Sequence, residues 1–279
     1  MTESALGKVY WHGGFYSAVQ YELHEYKDYL DFQYEHQLSE EALRVDVLII
    51  KKDKDVRIEK NIGRIFRKHN IFDFKSESDS FSIWDYSKVF GYAFMYSSFE
   101  KVLVSDITVS ITLTIFPREL VKYLEKERGL KVRDMGDGLY YIDGEFFPVQ
   151  ILESKRLSPV NNVYLRNLRS NLSGEEFANV MSTGIANKHD FFDGKNVYMD
   201  RLIKANPAAF EEALSMLTEE AKVIFLEGAE KCGWLNERLE QNTIQNKKEI
   251  AKNLLLLGDS AEKVAQATKL PIETVINLQ

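Results

Sequence analysis

The stretch that most constrains the fold is LRVDVLIIKK, residues 43–52. Its β-branched and aliphatic residues follow one another without polar alternation, the pattern of a strand buried on both faces of a sheet. Asp46 sits inside that run. A carboxylate in such a strand needs a cationic, hydrogen-bonding or metal partner to offset its desolvation.

A second strand raises the same question. In NIFDFKSESDSF, residues 70–81, Asp73 stands two positions before Lys75. Strand side chains alternate between faces, so these two opposite charges share a face while Ile71, Phe72 and Phe74 supply apolar packing. The pair reads either as an ion pair or as half of a metal site. A third acid is Glu22, on FYSAVQYELHEYKDYL, residues 15–30, where Phe15, Ala18, Val19, Tyr26 and Leu30 keep a helical apolar stripe that Glu22 interrupts. Glu25 and Asp28 fall on the other side and read as solvated.

Between the two strands, residues 51–70 carry Lys51, Lys52, Lys54, Arg57, Lys60, Arg64, Arg67 and Lys68 against Asp53, Asp55 and Glu59, eight basic residues to three acidic. Such a stretch is either a solvated face or a set of phosphate contacts. IWDYSKVFGYAFMYSS, residues 83–98, reads as a helix on which Trp84, Lys88, Tyr92 and Tyr96 recur every four positions as one face. DITVSITLTI alternates as a strand. PRELVKYLEKERG starts a helix at Pro117 and stops it at Gly129, and GLYYIDGEFFPVQIL is a hairpin through Asp143 and Gly144. The glycine-rich MGDGLYYIDG lacks the order of a dinucleotide cradle and opens into a strand.

From about Ser158 the pattern turns helical, with His189, Asp190 and Asp193 in a turn-like segment where a single histidine reads as structural. The last segment breaks at Gly258, restarts with Asp259 or Ser260 as N-cap and breaks again before Pro271, so it has helix-turn-helix proportions with Ile250, Leu254, Val264, Ala265, Val275 and Leu278 as a small core. Its nearly balanced charge suits protein contacts or self-association as well as DNA reading. The expected organisation is a sheet-containing domain over 1–157, a helical region over 158–246 and a short tail over 247–279.

The net charge of −7 over 279 residues argues against indiscriminate coating of nucleic acid, so an anionic partner must meet a local patch. The single cysteine, Cys232, excludes an internal disulfide framework and reads as an inert thiol. No run approaches the roughly 18 apolar residues of a membrane span, and the first residues lack a signal-peptide core. A cytoplasmic protein without a membrane partner is expected.

Two carboxylates on adjacent strands beside a lysine suit phosphodiester hydrolysis. Oxygen ligands favour Mg²⁺ or Mn²⁺, which acidifies a bound water, and the lysine orients or helps deprotonate that water, or stabilises the transition state. At these residues the chain resembles the PD-(D/E)XK nuclease superfamily, in particular its bacterial transposase-like, recombination-promoting nuclease group. LRVDVLIIKKDKD, IGRIFRKHNIFDFKS, DYSKVFGYAFMY, FPRELVKYLEKERG and GLYYIDGEFFPVQIL fall in that group's order, over roughly residues 14–170. The resemblance implies an α/β, restriction-endonuclease-like fold, with a mixed central sheet flanked by helices and an all-helical C-terminal region. It implies Asp46 and Asp73 as metal ligands, Lys75 as the catalytic lysine and Glu22 as a supporting carboxylate. Lys88 and Tyr92 would line the DNA groove. Apart from the resemblance, Lys51, Lys52, Lys54 and Arg57 of the basic stretch are the candidate phosphate contacts, the alternative being a solvated face. Two positions depart from the group's pattern: Asp73 stands where Glu is usual, and Glu77 where Pro is usual.

The expected function is therefore that of a metal-dependent DNA endonuclease acting in recombination of mobile DNA. The alternative is a catalytically silent DNA-binding or interaction protein that keeps the fold. Two cuts in a duplex are made most simply by a homodimer.

Overall fold

The buried run becomes the second strand of a seven-stranded mixed sheet in the computed structural model of the protein, which describes residues 11–37, 44–53, 55–77, 79–189, 191, 197–231 and 234–278. The chain enters through helix α1 (Trp11–Glu22) and lays down β1 (Leu30–Gln37), β2 (Arg44–Lys51) and β3 (His69–Lys75). Helix α2 (Ile83–Glu100) leads to β4 (Ile107–Leu113), and α3 (Arg118–Lys126) precedes β5 (Lys131–Asp134), β6 (Leu139–Asp143) and β7 (Val149–Glu153). The strand order is β1-β2-β3-β4-β7-β6-β5. The β3, β4 and β7 strands run parallel in the middle, with antiparallel pairs on both flanks.

Parallel central strands need both faces covered, and both are. On one face Ile71, Val109, Ile111, Val149 and Ile151 meet Tyr86, Val89, Phe90 and Ala93 of α2 and Leu120 and Leu124 of α3. On the other face Phe15 of α1 stacks on Phe74 at 4.6 Å between ring centroids and also meets Phe72. Buried polar side chains tie the strands to the segment before β3. Gln150 Nε2 donates to the Ile62 carbonyl at 2.7 Å and to Ser110 Oγ at 2.8 Å.

Local signals explain where several elements begin and end. The Ser82 hydroxyl accepts the Asp85 amide while Asp85 accepts the Ser82 amide, a capping box that starts α2. Gly129, with φ of +66°, takes the left-handed conformation beyond α3. Two expectations need correction. Helix α1 ends at Glu22, short of the stripe that runs on to Leu30, and a 3₁₀ turn over His24–Tyr26 leads into β1. On α2, Trp84 is 81% exposed whereas Tyr96 is 2% exposed. A four-residue repeat advances about 400° per step on a helix of 3.6 residues per turn, so the supposed face drifts by about 120° over three steps.

Beyond the sheet come α4 (Val163–Arg166), α5 (Gly174–Ala186), α6 (Tyr198–Ala205), α7 (Pro207–Met216), α8 (Glu219–Lys231), α9 (Trp234–Leu256), α10 (Ala261–Thr268) and α11 (Ile272–Ile276). The chain divides into two compact units, residues 1–222 and 223–279. Helices α4 to α7 therefore share a unit with the sheet, and α1 packs against both α4 and α6. The change of pattern near Ser158 marks a change of secondary structure within one unit. In the second unit Ala251, Val264, Leu270 and Val275 form the small core, while Ile250, expected there, is 53% exposed. Ser260 caps α10 after Gly258, whose φ is +94°. Among the described residues no helix is long and apolar enough to cross a membrane.

Candidate active site

Antiparallel pairing of β2 with β3 ends at Val47 and Phe72, so the next residues in register, Asp46 and Asp73, lie opposite each other where the ladder stops. The freed Phe74 amide donates to Asp46 Oδ2 at 2.8 Å. His12 Nδ1, from the first turn of α1, lies 2.9 Å from Asp46 Oδ1. Asp46 thus has a hydrogen-bonding group on each oxygen and is oriented by two elements far apart in sequence.

Asp73 is held differently. The residue as a whole is partly exposed, but its Oδ2 is sealed from solvent with no hydrogen-bond partner among the described residues. Burial, and then the charge of Asp46, push its carboxyl up to about 7, against the pull of Lys75, Lys88 and His12. Lys75 shares the face of Asp73, as strand alternation requires, and its Nζ lies 3.8 Å from Asp85 Oδ1. Asp85 is the third helical residue of α2, where it also closes the capping box with Ser82. One carboxylate therefore both starts the helix and tethers the lysine. Lys88, one turn further along, lies over the Tyr92 ring at 5.5 Å from its centroid, within cation–π range.

The structure brings together Asp46, Asp73, Lys75 and Lys88, with His12 and Asp85 added. The strained position in this neighbourhood is Glu35 on β1, φ +44°, which falls opposite Asp46 in register between the pairs Tyr34 with Val47 and His36 with Val45. The His12 imidazole is shifted above its ordinary range by its hydrogen bond to Asp46, against desolvation and with help from the charges of Asp46, Asp73 and Glu35. No spacing rule links His12 to a partner 34 residues away. The Ser82-x-x-Asp85 pattern, by contrast, is a readable capping signal that picks out the residue holding Lys75.

Glu22 is not in this cluster. It sits ten residues along α1 from His12, about 15 Å at 1.5 Å per residue. Its Oε1 accepts the amides of Tyr164 at 2.7 Å and Leu165 at 3.1 Å, and its Oε2 pairs with Lys60 at 3.1 Å. A buried helix terminus uses this carboxylate, which explains an acid on an apolar stripe without any reaction. The basic stretch is also remote from the paired aspartates. Lys51 ends β2 five residues after Asp46, about 16 Å along an extended chain, and is 5% exposed. The Lys52 amide donates to the Tyr29 carbonyl at 2.8 Å, and Arg57 pairs with Glu59 at 2.9 Å in solvent. Lys54, Asp190, Asp193 and Cys232 lie outside the described residues. His189 stacks on Tyr21 at 4.5 Å and meets His24 edge-on at 4.8 Å, far along the chain from the paired aspartates.

The donor set can be tested against a divalent cation. Two facing carboxylates, one with an oxygen that is sealed and unpartnered among the described residues and a proton affinity raised by burial and then by its neighbour, match the oxygen ligands that Mg²⁺ or Mn²⁺ prefers. Among the described residues no group of three or more His, Cys, Asp or Glu side chains forms a ready-made cage. A cation on Asp46 and Asp73 would keep water in its remaining positions, as Mg²⁺ commonly does. Compared with protein-family models, curated proteins and solved structures, the chain gives no significant match in any of the three.

Proposed function

We propose that the protein is a divalent-metal-dependent phosphodiesterase that cuts DNA. The carrying observation is the Asp73 carboxyl, opposed to Asp46, lying on the face of Lys75 and having a buried oxygen without a hydrogen-bond partner among the described residues. Asp46 and Asp73 are the residues that would hold Mg²⁺ or Mn²⁺, which when bound supplies an acidified water and neutralises phosphate charge. Lys75, tethered by Asp85, would orient the attacking water, accept its proton or face the developing charge on the phosphate. Lys88 adds a second positive charge beside Asp73 for the incoming strand. His12 fixes the direction of the Asp46 carboxylate through Oδ1.

A second reading, a silent nucleic-acid-binding or interaction protein on the same fold, is favoured by the engagement of both Asp46 oxygens. Nicking of supercoiled plasmid separates the two. The parent protein with Mg²⁺ or Mn²⁺ should nick, and identically prepared Asp46→Ala and Lys75→Ala should not. Mn²⁺ binding followed by titration calorimetry should be lost in Asp46→Ala and kept in Lys75→Ala. No nicking by a folded parent, together with no metal binding, would make the silent reading the better one.

A further inference from the structure

The chain beyond β3 carries an acid at Glu77, two residues after Lys75. Its carboxylate is partly exposed but held at both oxygens. Oε1 accepts a hydrogen bond from Lys155 Nζ at 2.5 Å, and Oε2 accepts one from Ser170 Oγ at 3.0 Å. Lys155 comes from the turn just after β7, and Ser170 from the segment between α4 and α5, so three separate parts of the chain converge on one carboxylate. Arg169 adds a positive charge close by, and the Glu77 carboxyl is held below its ordinary range, first by the Lys155 hydrogen bond. The Arg169 Nε is buried without a hydrogen-bond partner among the described residues, although its other nitrogens bond Glu176 and the carbonyls of Ser170 and Asn171.

Two cavities meet at this carboxylate. One, of about 340 Å³, is lined by Trp11, Arg169, Ser170 and Asn171 as well as Ser76 and Glu77. The other, of about 700 Å³, lies beyond the ends of β3, β4 and β7 and shares Ser76 and Glu77 with the first. The larger lies within the size range of ligand clefts, and the smaller near its low end. Both cavities border the residues that follow Lys75, and Glu77 lines each of them. An ammonium and a hydroxyl holding an anion through two of its oxygens, with a guanidinium nearby, is the donor set that also holds phosphate.

We infer that Lys155, Ser170 and Arg169 form a subsite for a phosphate of a nucleic-acid strand, and that Glu77 occupies this subsite in the free protein as an internal stand-in for that phosphate. A strand entering these cavities displaces the carboxylate, so Glu77 competes with substrate. The inference rests on the proposed action on DNA, and its test is kept separate from cleavage by working in EDTA.

The test is binding of a labelled single-stranded deoxyoligonucleotide, followed by anisotropy over a range of salt concentrations. Glu77→Ala should bind about tenfold more tightly than the parent, with the slope of log K against log salt steeper by about 0.7, one further phosphate contact on a single strand. Glu77→Gln, which removes the charge and keeps the size, should move the same way. In a Lys155→Ala background the gain should vanish, since the two residues act on one another. Glu125→Gln, an exposed acid of α3 that lines neither cavity, should change affinity less than twofold. An unchanged or weaker affinity for Glu77→Ala, a gain that survives Lys155→Ala, or an equal gain from Glu125→Gln would each overturn the inference. Plasmid nicking by a parent whose Glu77 variants bind no better removes the inference alone. Tighter binding by Glu77→Ala in a protein that never nicks removes the nuclease reading alone.

Discussion

Replacing Asp73 by Asn should make the metal-free protein more stable at neutral and alkaline pH. The carboxyl titrates at an ordinary 3.8 in the unfolded chain and at about 7 when folded, because burial and Asp46 disfavour its charge. A carboxyl with a raised folded value binds more protons folded than unfolded between those two points. Stability therefore falls as pH rises from about 4 to about 7 and levels off above. Each pH unit is worth about 1.4 kcal/mol, so three units set a ceiling of about 4 kcal/mol, and the partly solvated surroundings bring the expectation to about 2–4 kcal/mol. Asn is nearly isosteric with the protonated acid and cannot ionise, so the variant escapes this loss. The measurement is urea denaturation of parent and Asp73→Asn in EDTA from pH 4.5 to 8.5, taking the difference at each pH so that titrating groups remote from Asp73 cancel. The difference should grow in favour of the variant as pH rises. Saturating Mg²⁺ should raise the stability of the parent at pH 8 and leave the variant almost unmoved, since a cation that binds only the folded form stabilises it. A difference that is flat with pH, or that moves the other way, would refute the placement of two mutually repelling carboxylates.

Two further outcomes follow from residues away from the cluster. Glu22→Ala strips the buried amides of Tyr164 and Leu165 and the Lys60 ammonium of their partner, which should cost about 3 kcal/mol in urea denaturation while leaving Mn²⁺ affinity unchanged; loss of metal binding without loss of stability would return Glu22 to the site. The His189 imidazole is pushed down to about 4, first by burial and then by the charge of His24. Its contribution to stability is complete above about 6.5 and lost as pH falls toward 4, so Tm should drop over that window in the parent and drop less in His189→Phe; parallel curves would exclude this residue as the cause.

Much of the architecture was legible because it depends on short-range rules. The run at 44–51 has to be a covered strand, and Gly129 and Gly258 stop helices because they reach positive φ without strain. The shared face of Asp73 and Lys75 follows from the pleat alone. What escaped is non-local. Nothing within residues 15–30 says that Glu22 is buried against a second helix, because its partners are amides more than 140 positions later. The partnership of His12 with Asp46 depends on where α1 docks, and the four-residue spacing on α2 was read as a face although helical drift carries Trp84 into solvent and Tyr96 into the core. Strand β5 was missed because Lys131, Arg133 and Asp134 give no hydrophobic alternation. It is held in place by pairing with β6, including Arg133 against Asp143.

The two outer strands of the sheet bear on how the protein behaves when crowded. An open edge is a template on which another chain can add a strand, and from there aggregate. Here β5 is only four residues long and mostly charged, while β1 is bent at Glu35 by a backbone conformation that a regular incoming strand would not match. Both margins are thus poor templates. Concentrated solutions should resist fibril growth through the sheet, and any variant that straightens Glu35 or replaces the β5 charges with β-branched residues should be watched first for thioflavin-positive aggregates.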